Sequence, residues 1–326
     1  MSAGNRKNPQ RCASSDSRYS LMEFMQEFPD ENACLQWLWE NRVSRDGEHA
    51  HCSKCGEERS FKRYDTKQQR QSWTCVACGH HLHPTAGTIF HKSSTSLHLW
   101  FYAMYLITST RCGISAKQLG RELGVTYKTA WRMFRLIRYS LADEGSQLSG
   151  MVEIDETYVG GKEGNKHFNK RSEYKTMQKT PVLGMMQRKE GEKPARVVAS
   201  VLPFAWTGYV RPPIREHVMP ATTIFTDESR LYSNMWKDGY GYGRVNHTAK
   251  VYVSGDAHTN TLEGFWSLAK RGISGVYHNV SAKHLQSYVN EYAWRYNNKD
   301  DKRGHFNLLI SRVARASVAA SRSQPS

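Results

Sequence analysis

The spacing of apolar residues along the chain changes near residue 150. Before that point it follows helices. LMEFMQEF and ENACLQWLWENR place apolar side chains three and four apart, which predicts two amphipathic helices separated by Pro29, with Asp30 capping the second. SSTSLHLWFYAMYLITST predicts a buried helix. The segment ISAKQLGRELGVTYKTAWRMFRLIRYSL predicts a helical pair: Leu119 and Leu123 form the inner face of the first, Gly124 turns the chain, and Thr126 caps the second. Ala130, Met133, Phe134 and Ile137 continue the apolar stripe. After residue 150, MVEIDE, PVLGMMQR, ARVVASVLP and TTIFTD alternate or run apolar over strand lengths. TGYVRPPIREHV and NTLEGFWSLAKRG carry a helical period, a short helix is expected around Leu231, and a further strand near VNHTA. In SAKHLQSYVNEYAWRYNNKD, Leu285, Tyr288, Val289, Tyr292 and either Trp294 or Tyr296 share one side of a helix, a stripe read as core. The fold class is multidomain α/β.

Cysteine spacing adds a metal site. Cys52-Ser-Lys-Cys55-Gly is followed after nineteen residues by Cys75-Val-Ala-Cys78-Gly, the spacing of a four-thiolate zinc site. Each turn brings two sulfurs toward one ion, and Gly56 and Gly79 tolerate the positive φ such turns need. Cys12, Cys34 and Cys112 have no partner at ligand spacing and read as ordinary thiols. His80, His81 and His83 crowd the second knuckle and are alternative ligands, although the simpler assignment leaves them toward solvent or phosphate.

Acidic residues add a second candidate. Val152 and Ile154 alternate with Glu153 and Asp155, so the two acids share one strand face. Asp227 ends the apolar run ATTIFTD, and Glu263 lies in the first turn of a helix with Lys270 and Arg271 two turns on. Three acids from two strand ends and a helix could hold two divalent ions in the arrangement that clamps the attacking and leaving oxygens of phosphoryl transfer. Asn260, one turn before Glu263, could supply a neutral oxygen instead, and Glu153, Glu156 and Asp256 are substitutes if the strand register shifts. N-capping is the competing reading of Asp227. Ser229, Tyr232 and His247 are expected to cap, pack or orient, not to act as nucleophiles.

Charge supplies the partner. Among 326 residues, 46 Lys and Arg against 30 acids give a formal charge of +16, which calls for a polyanion, and nucleic acid suits it better than an anionic membrane. No apolar run approaches 18 residues and the amino terminus is polar, so neither a membrane span nor a signal peptide is expected, and a cytoplasmic, nucleoid-associated protein is. Tyr127, Lys128, Thr129 and Arg132 would face outward from the second helix of the pair, with the chemistry to meet phosphates and base edges. Residues 160–180 form a glycine-led basic insertion expected to order on DNA.

Taken together, the two knuckles with the trailing HPTAGTIFHKSSTSLHLW, VEIDETYVGGK, IFTDESRLY and HTNTLEGFWSLAKRGISGVYHNVSAKHLQSYVNEYAWRYNNK resemble bacterial insertion-sequence transposases of the DDE type that carry an amino-terminal zinc ribbon. The resemblance implies Asp155 and Asp227 as the first two metal ligands, Glu263 as the third acid and Lys270 as the associated basic residue, while some branches of the family use asparagine in third place, which leaves Asn260 open. It also implies Mg2+ or Mn2+, double-stranded DNA at element ends and target, and a homo-oligomeric synaptic complex. The strand order expected after residue 150, three antiparallel strands and then a crossover to a parallel one, is that of a ribonuclease-H-like fold and would set Asp155 beside Asp227. The expected organisation is a disordered tail at 1–19, a helical lead-in and zinc ribbon at 20–93, a helix-turn-helix region at 94–145, a catalytic domain at 146–312 and a basic tail at 313–326. A non-catalytic DNA-binding protein built on the ribbon and helix-turn-helix is the alternative, and a nuclease without strand transfer is a second.

Overall fold

A computed structural model describes residues 19–64, 72–142, 145, 147–160, 179–191, 193–226, 230–232, 235–244, 260–301 and 304–315. The chain divides into two compact units, residues 134–298 and the stretches on either side of them.

The first unit begins with α1 (Leu21–Glu27), closed by a reciprocal capping box between Ser20 and Glu23. In α2 (Glu31–Leu38) the Asp30 carboxylate accepts the Ala33 N–H at 2.8 Å, the cap expected from the sequence. Strands β1 (His49–Cys52), β2 (Glu57–Tyr64), β3 (Ser72–Cys75) and β4 (His81–Leu82) form an antiparallel sheet in chain order. Its inner side is thin. Trp73 stacks on Trp39, from the π-helical turn that extends α2, with ring centroids 4.5 Å apart and planes 4° from parallel, and Phe61 packs beside them. Helix α3 (Leu97–Ser109) buries Trp100, Phe101 and Met104, and is followed by α4 (Ala116–Leu123) and α5 (Tyr127–Tyr139). Gly124 ends α4 at φ +64, a left-handed conformation that glycine adopts without strain, and the Thr126 hydroxyl accepts the Thr129 N–H at 3.3 Å. Helix α9 (Gly304–Arg315) completes this unit by inserting Phe306 among Tyr19, Phe24, Phe28 and Tyr105.

That insertion revises the expected boundary. The sequence carried the second region to residue 312, but the apolar face of α9 finds its partners among the amino-terminal helices, so the second unit ends at Asn298. It also starts earlier, at Phe134, because the end of α5 packs on residues of that unit. The Arg138 guanidinium, 2 % exposed, stands 3.5 Å from the Phe134 ring centroid and 3.7 Å from that of Tyr288, and pairs with Glu291 at 2.8 Å.

In the second unit, β5 (Met151–Val159), β6 (Thr180–Gln187) and β7 (Arg196–Val201) form the antiparallel meander. After α6 (Thr207–His217), β8 (Thr223–Thr226) returns parallel to β5 on its other side, and β9 (Gly241–Arg244) pairs parallel with β8. The strand order is β7-β6-β5-β8-β9, with the crossover predicted from the sequence. The fifth strand lies just upstream of VNHTA, which falls outside the described residues. One face, with Val152, Ile154, Leu183, Met185 and Ile224, packs on Val210 and Ile214 of α6. The opposite face, with Val182, Met186, Val197 and Ala199, receives α7 (Asn260–Gly272) through Leu262, Phe265 and Trp266, and α8 (Ala282–Asn297) through Leu285, Val289 and Tyr292. Strand β7 would expose an unpaired backbone edge, but α8 covers it with side-chain amides. Gln286 accepts the Val201 N–H at 2.7 Å and donates to Ala199 O at 2.9 Å; Asn297 does the same for Val197 at 2.7 and 2.9 Å.

Candidate active site and metal cluster

Asp155 stands on β5, half-buried, two residues beyond Glu153 and therefore on the same face of the sheet. That face is the one α7 covers. Opposite Asp155 in the ladder is Gly184 of β6, where an added Cβ would lie 2.5 Å from Trp266 Cζ2 and 2.9 Å from Leu262 Cδ1. The absent side chain lets the first turns of α7 lie against the strand. Glu263, exposed, is in the opening turn of α7, and Lys270 and Arg271 are exposed in its last turn, Arg271 donating from Nε to Ser267 O at 3.2 Å. Asn260 is the first residue of α7.

Asp227 directly follows Thr226, the last residue of β8, and lies outside the described residues, as do Ser229, His247, Asp256 and the basic segment 161–178. Strand pairing still relates the two acids. Glu153 is opposite Phe225 in the parallel ladder; Asp155 comes two residues after Glu153 on β5, and Asp227 two residues after Phe225 in the sequence.

Glu153, a substitute ligand in the sequence reading, has another task. It is fully buried; its Oε1 accepts from Arg188 Nε at 2.8 Å, and its Oε2 accepts the Leu262 N–H at 3.0 Å. The Arg188 guanidinium also lies 4.4 Å from the centroid of Phe225 on β8. One buried ion pair thus joins β5, the end of β6, β8 and the start of α7, the elements that carry the candidate acids. A carboxylate at a helix amino terminus satisfies an N–H that has no partner within the helix and is favoured by the dipole. Glu156 faces the other way and accepts a hydrogen bond from the buried Tyr232 hydroxyl. Alternation alone put Glu153 and Asp155 on one face; nothing local to β5 marked Arg188 as the partner of one and not the other.

In the first unit the sulfurs of Cys52, Cys55, Cys75 and Cys78 all lie within 4.8 Å of one another, with Cys52 and Cys78 at 3.5 Å. Tetrahedral thiolate ligation at about 2.3 Å requires sulfurs about 3.8 Å apart, so the set fits a single ion. Gly56 and Gly79 have φ of +77 and +70, as the knuckle turns require. Burial works against ionisation of Cys52, but the backbone amides of Cys55 and Lys54 and the Cys78 thiol bring it down to about 7. The Cys78 thiol, followed by burial, pushes Cys55 up to about 12. His80 pairs with the Ser53 hydroxyl at 3.1 Å and His81 with that of Thr74 at 2.9 Å, and neither they nor His83 join the cluster of sulfurs. Cys34 is buried, which raises its pKa, and Cys112 is exposed; neither joins the cluster.

On α5, Tyr127, Lys128 and Arg132 are exposed, whereas Thr129 is half-buried with its hydroxyl 3.1 Å from that of Thr126, so the capping contact competes with its outward role. No described helix is long and apolar enough to cross a membrane.

Residues 147–297, nearly the whole of the second unit, match the family model of the ISXO2-like transposase domain. This part of the chain belongs with the insertion-sequence transposases. An uncharacterized protein in transposable element ISH50 of Halobacterium salinarum is 29% identical over 289 residues, covering 84% of this chain and 92% of that protein. An uncharacterized transposase-like protein of Haemophilus influenzae is 28% identical over 107 residues, 33% of this chain and 85% of that protein. The matched transposase domain contains the five-stranded sheet, α7, and both strands that lead to the candidate acids.

Proposed function

We propose that the protein binds the ends of an insertion sequence and catalyses metal-dependent DNA cleavage and strand transfer, with Asp155, Asp227 and Glu263 as the metal-holding acids. The observation that carries this reading is the parallel pairing of β5 with β8, Glu153 opposite Phe225, with α7 covering the same face of β5. Continued by two residues, that register would bring Asp155 and Asp227 side by side, and the strand order supports a ribonuclease-H-like domain. Two divalent ions, Mg2+ or Mn2+, held by such a set supply Lewis-acid activation of water and stabilisation of the leaving oxygen.

The protein's own contribution is positioning. Asp155 stands on the central strand β5, Asp227 directly follows β8 in the sequence, and Glu263 comes from a helix whose Leu262 N–H is held by Glu153. Asn260, one helical turn earlier, is the alternative third ligand, and the charged carboxylate is the better donor to a hard cation. Lys270 and Arg271 neutralise charge on the phosphate under attack or its neighbour. Water is the first nucleophile and the freed 3′-hydroxyl the second, so no side-chain nucleophile is needed. The four cysteines hold a structural zinc, and α4 with α5 acts as a helix-turn-helix presenting Tyr127, Lys128 and Arg132 to DNA, with Thr129 contributing from its capped position.

The test incubates the purified protein with a DNA fragment bearing the source element's ends, in Mg2+ or EDTA, and sequences the products. Metal-dependent joined ends are expected; nicking without joining would make it a nuclease, and binding without cutting a non-catalytic DNA-binding protein. Asp155→Asn should lower cleavage at least about a thousandfold, the scale of losing an electrostatic contact to the transition state, while end binding in a gel-shift assay persists.

A further inference from the structure

At the end of the sheet where β5 finishes, the second unit opens a cleft of about 750 Å³ that none of the proposed roles uses. It is lined by Tyr158, Pro181, Phe204 and Trp206, with Lys179 and Lys283 at its margins and no acidic residue in its wall. The aromatic side chains are not core. Trp206 is 65% exposed, Tyr158 and the neighbouring Tyr209 are also exposed, and Phe204 stacks on Trp206 at 5.1 Å with planes 20° apart. Tyr209 continues the cluster 6.5 Å from Trp206. Trp206 also occupies the N-cap of α6, where no side chain caps the helix, so the positive end of its dipole adds to the two lysines.

Flat, exposed rings beside cations suit a ligand that carries both a π-face and negative charge. An unpaired nucleotide has both; a fully paired duplex hides its base faces. The volume is within the roughly 300–1,000 Å³ of small-molecule sites. Tyr158 is three residues along β5 from Asp155, about 10 Å of strand and on the opposite face, while Val201 of β7, which also lines the cleft, is on the face of Asp155 two strands over, about 10 Å across the sheet. The diagonal is about 14 Å, about four base steps of DNA at 3.4 Å each, so a strand leaving the carboxylates reaches the rings around the end of the sheet.

We propose that this cleft receives an unpaired base of the DNA strand held at the carboxylates. The inference rests on the transposase reading above and adds a substrate feature to it: a short unpaired stretch beside the reacting phosphodiester. Trp206 and Phe204 provide the stacking surface, and Lys179 and Lys283 meet the flanking phosphates.

The full-length protein is titrated with two duplexes of equal length, one blunt and one carrying a short single-stranded extension with 2-aminopurine. Tighter binding of the extended duplex is expected from the added stacking, and quenching of the 2-aminopurine from electronic contact of the base with an aromatic ring. Trp206→Ala should weaken binding of the extended duplex about tenfold, the scale of one base on one ring, and Trp206→Phe should restore most of it. Equal affinity of wild type and Trp206→Ala for the extended duplex overturns this inference alone. If Trp206→Ala instead changes the sedimentation state and leaves DNA binding untouched, a second copy of the chain covers the cleft and the inference is also overturned. Quenching by a wild-type protein that shows no metal-dependent cleavage would retain the cleft and overturn the catalytic reading.

Discussion

The two sheets of this protein hold themselves together differently, and the difference determines how each depends on its chemistry. In the four-stranded sheet the reactive residues sit beside the core: next to Phe61 and the Trp39–Trp73 stack, the buried Cys52 and Cys75 and the half-buried Cys55 and Cys78 converge. In the five-stranded sheet the core is two apolar faces under α6, α7 and α8, and the acids are set into it one at a time. Adjacent acids there have separate tasks. Glu153 is buried and paired, while Asp155 on the same face is half-buried. Stability and chemistry coincide in the first sheet and are divided among neighbouring residues in the second.

The largest effect that would test this contrast comes from metal removal. A chelator, or Cys75→Ser, should abolish protection of β1–β3 amides in hydrogen exchange and leave β5 and β6 protected; metal analysis of the untreated protein should give about one zinc per chain. Retained protection in the small sheet would mean that its tryptophan stack suffices. Next, Arg188→Met removes one partner of a buried pair and leaves the Glu153 carboxylate uncompensated, which should cost about 3–5 kcal/mol in denaturant unfolding. Any loss of cleavage should be read at a temperature where the variant is folded. Gly184→Ala forces a methyl group into the side chains of Trp266 and Leu262 and should cost about 1–3 kcal/mol, the range of overpacking, while displacing α7 from Asp155. If stability falls and cleavage does not, the close approach of α7 matters to the fold alone.

The smallest effect is one of pH. Burial opposes ionisation of Glu291, but Arg138 and Arg295 at 2.8 and 2.9 Å prevail and hold its carboxyl below the ordinary range. A depressed acid stabilises the fold above its unfolded pKa and loses that contribution as pH falls through the folded one. Chemical denaturation should therefore show no dependence on this group between pH 6 and 8 at about the precision of a denaturant melt, and a loss only under acid; Glu291→Gln should remove that acid limb.

What the sequence revealed follows the same division. The cysteine knuckles, the Asp30 and Thr126 caps and the Gly124 turn were legible because each is decided within a few residues. The strand order was legible because apolar runs and a single crossover leave few alternatives. The division of labour between Glu153 and Asp155 was not, since it depends on Arg188, 35 positions away, and on an N–H donated by α7, 109 positions away. Helix α9 was assigned by its place in the chain, whereas its partners are near the other terminus. Phe204 and Trp206 fall between the strand run ARVVASVLP and the helical run TGYVRPPIREHV, where no periodicity marks them, and Tyr209 read only as part of the helix.

The near-parallel tryptophans of the small sheet also make an optical instrument. Two indoles face to face at 4.5 Å couple their excited states, and the resulting circular-dichroism couplet should stand apart from the signal of the chain's seven other tryptophans, 9 less 2. Because one ring rides on β3 beside Cys75 and the other on the turn after α2, the couplet should vanish when those segments separate, so loading and stripping of the knuckles can be followed in the intact protein without a label.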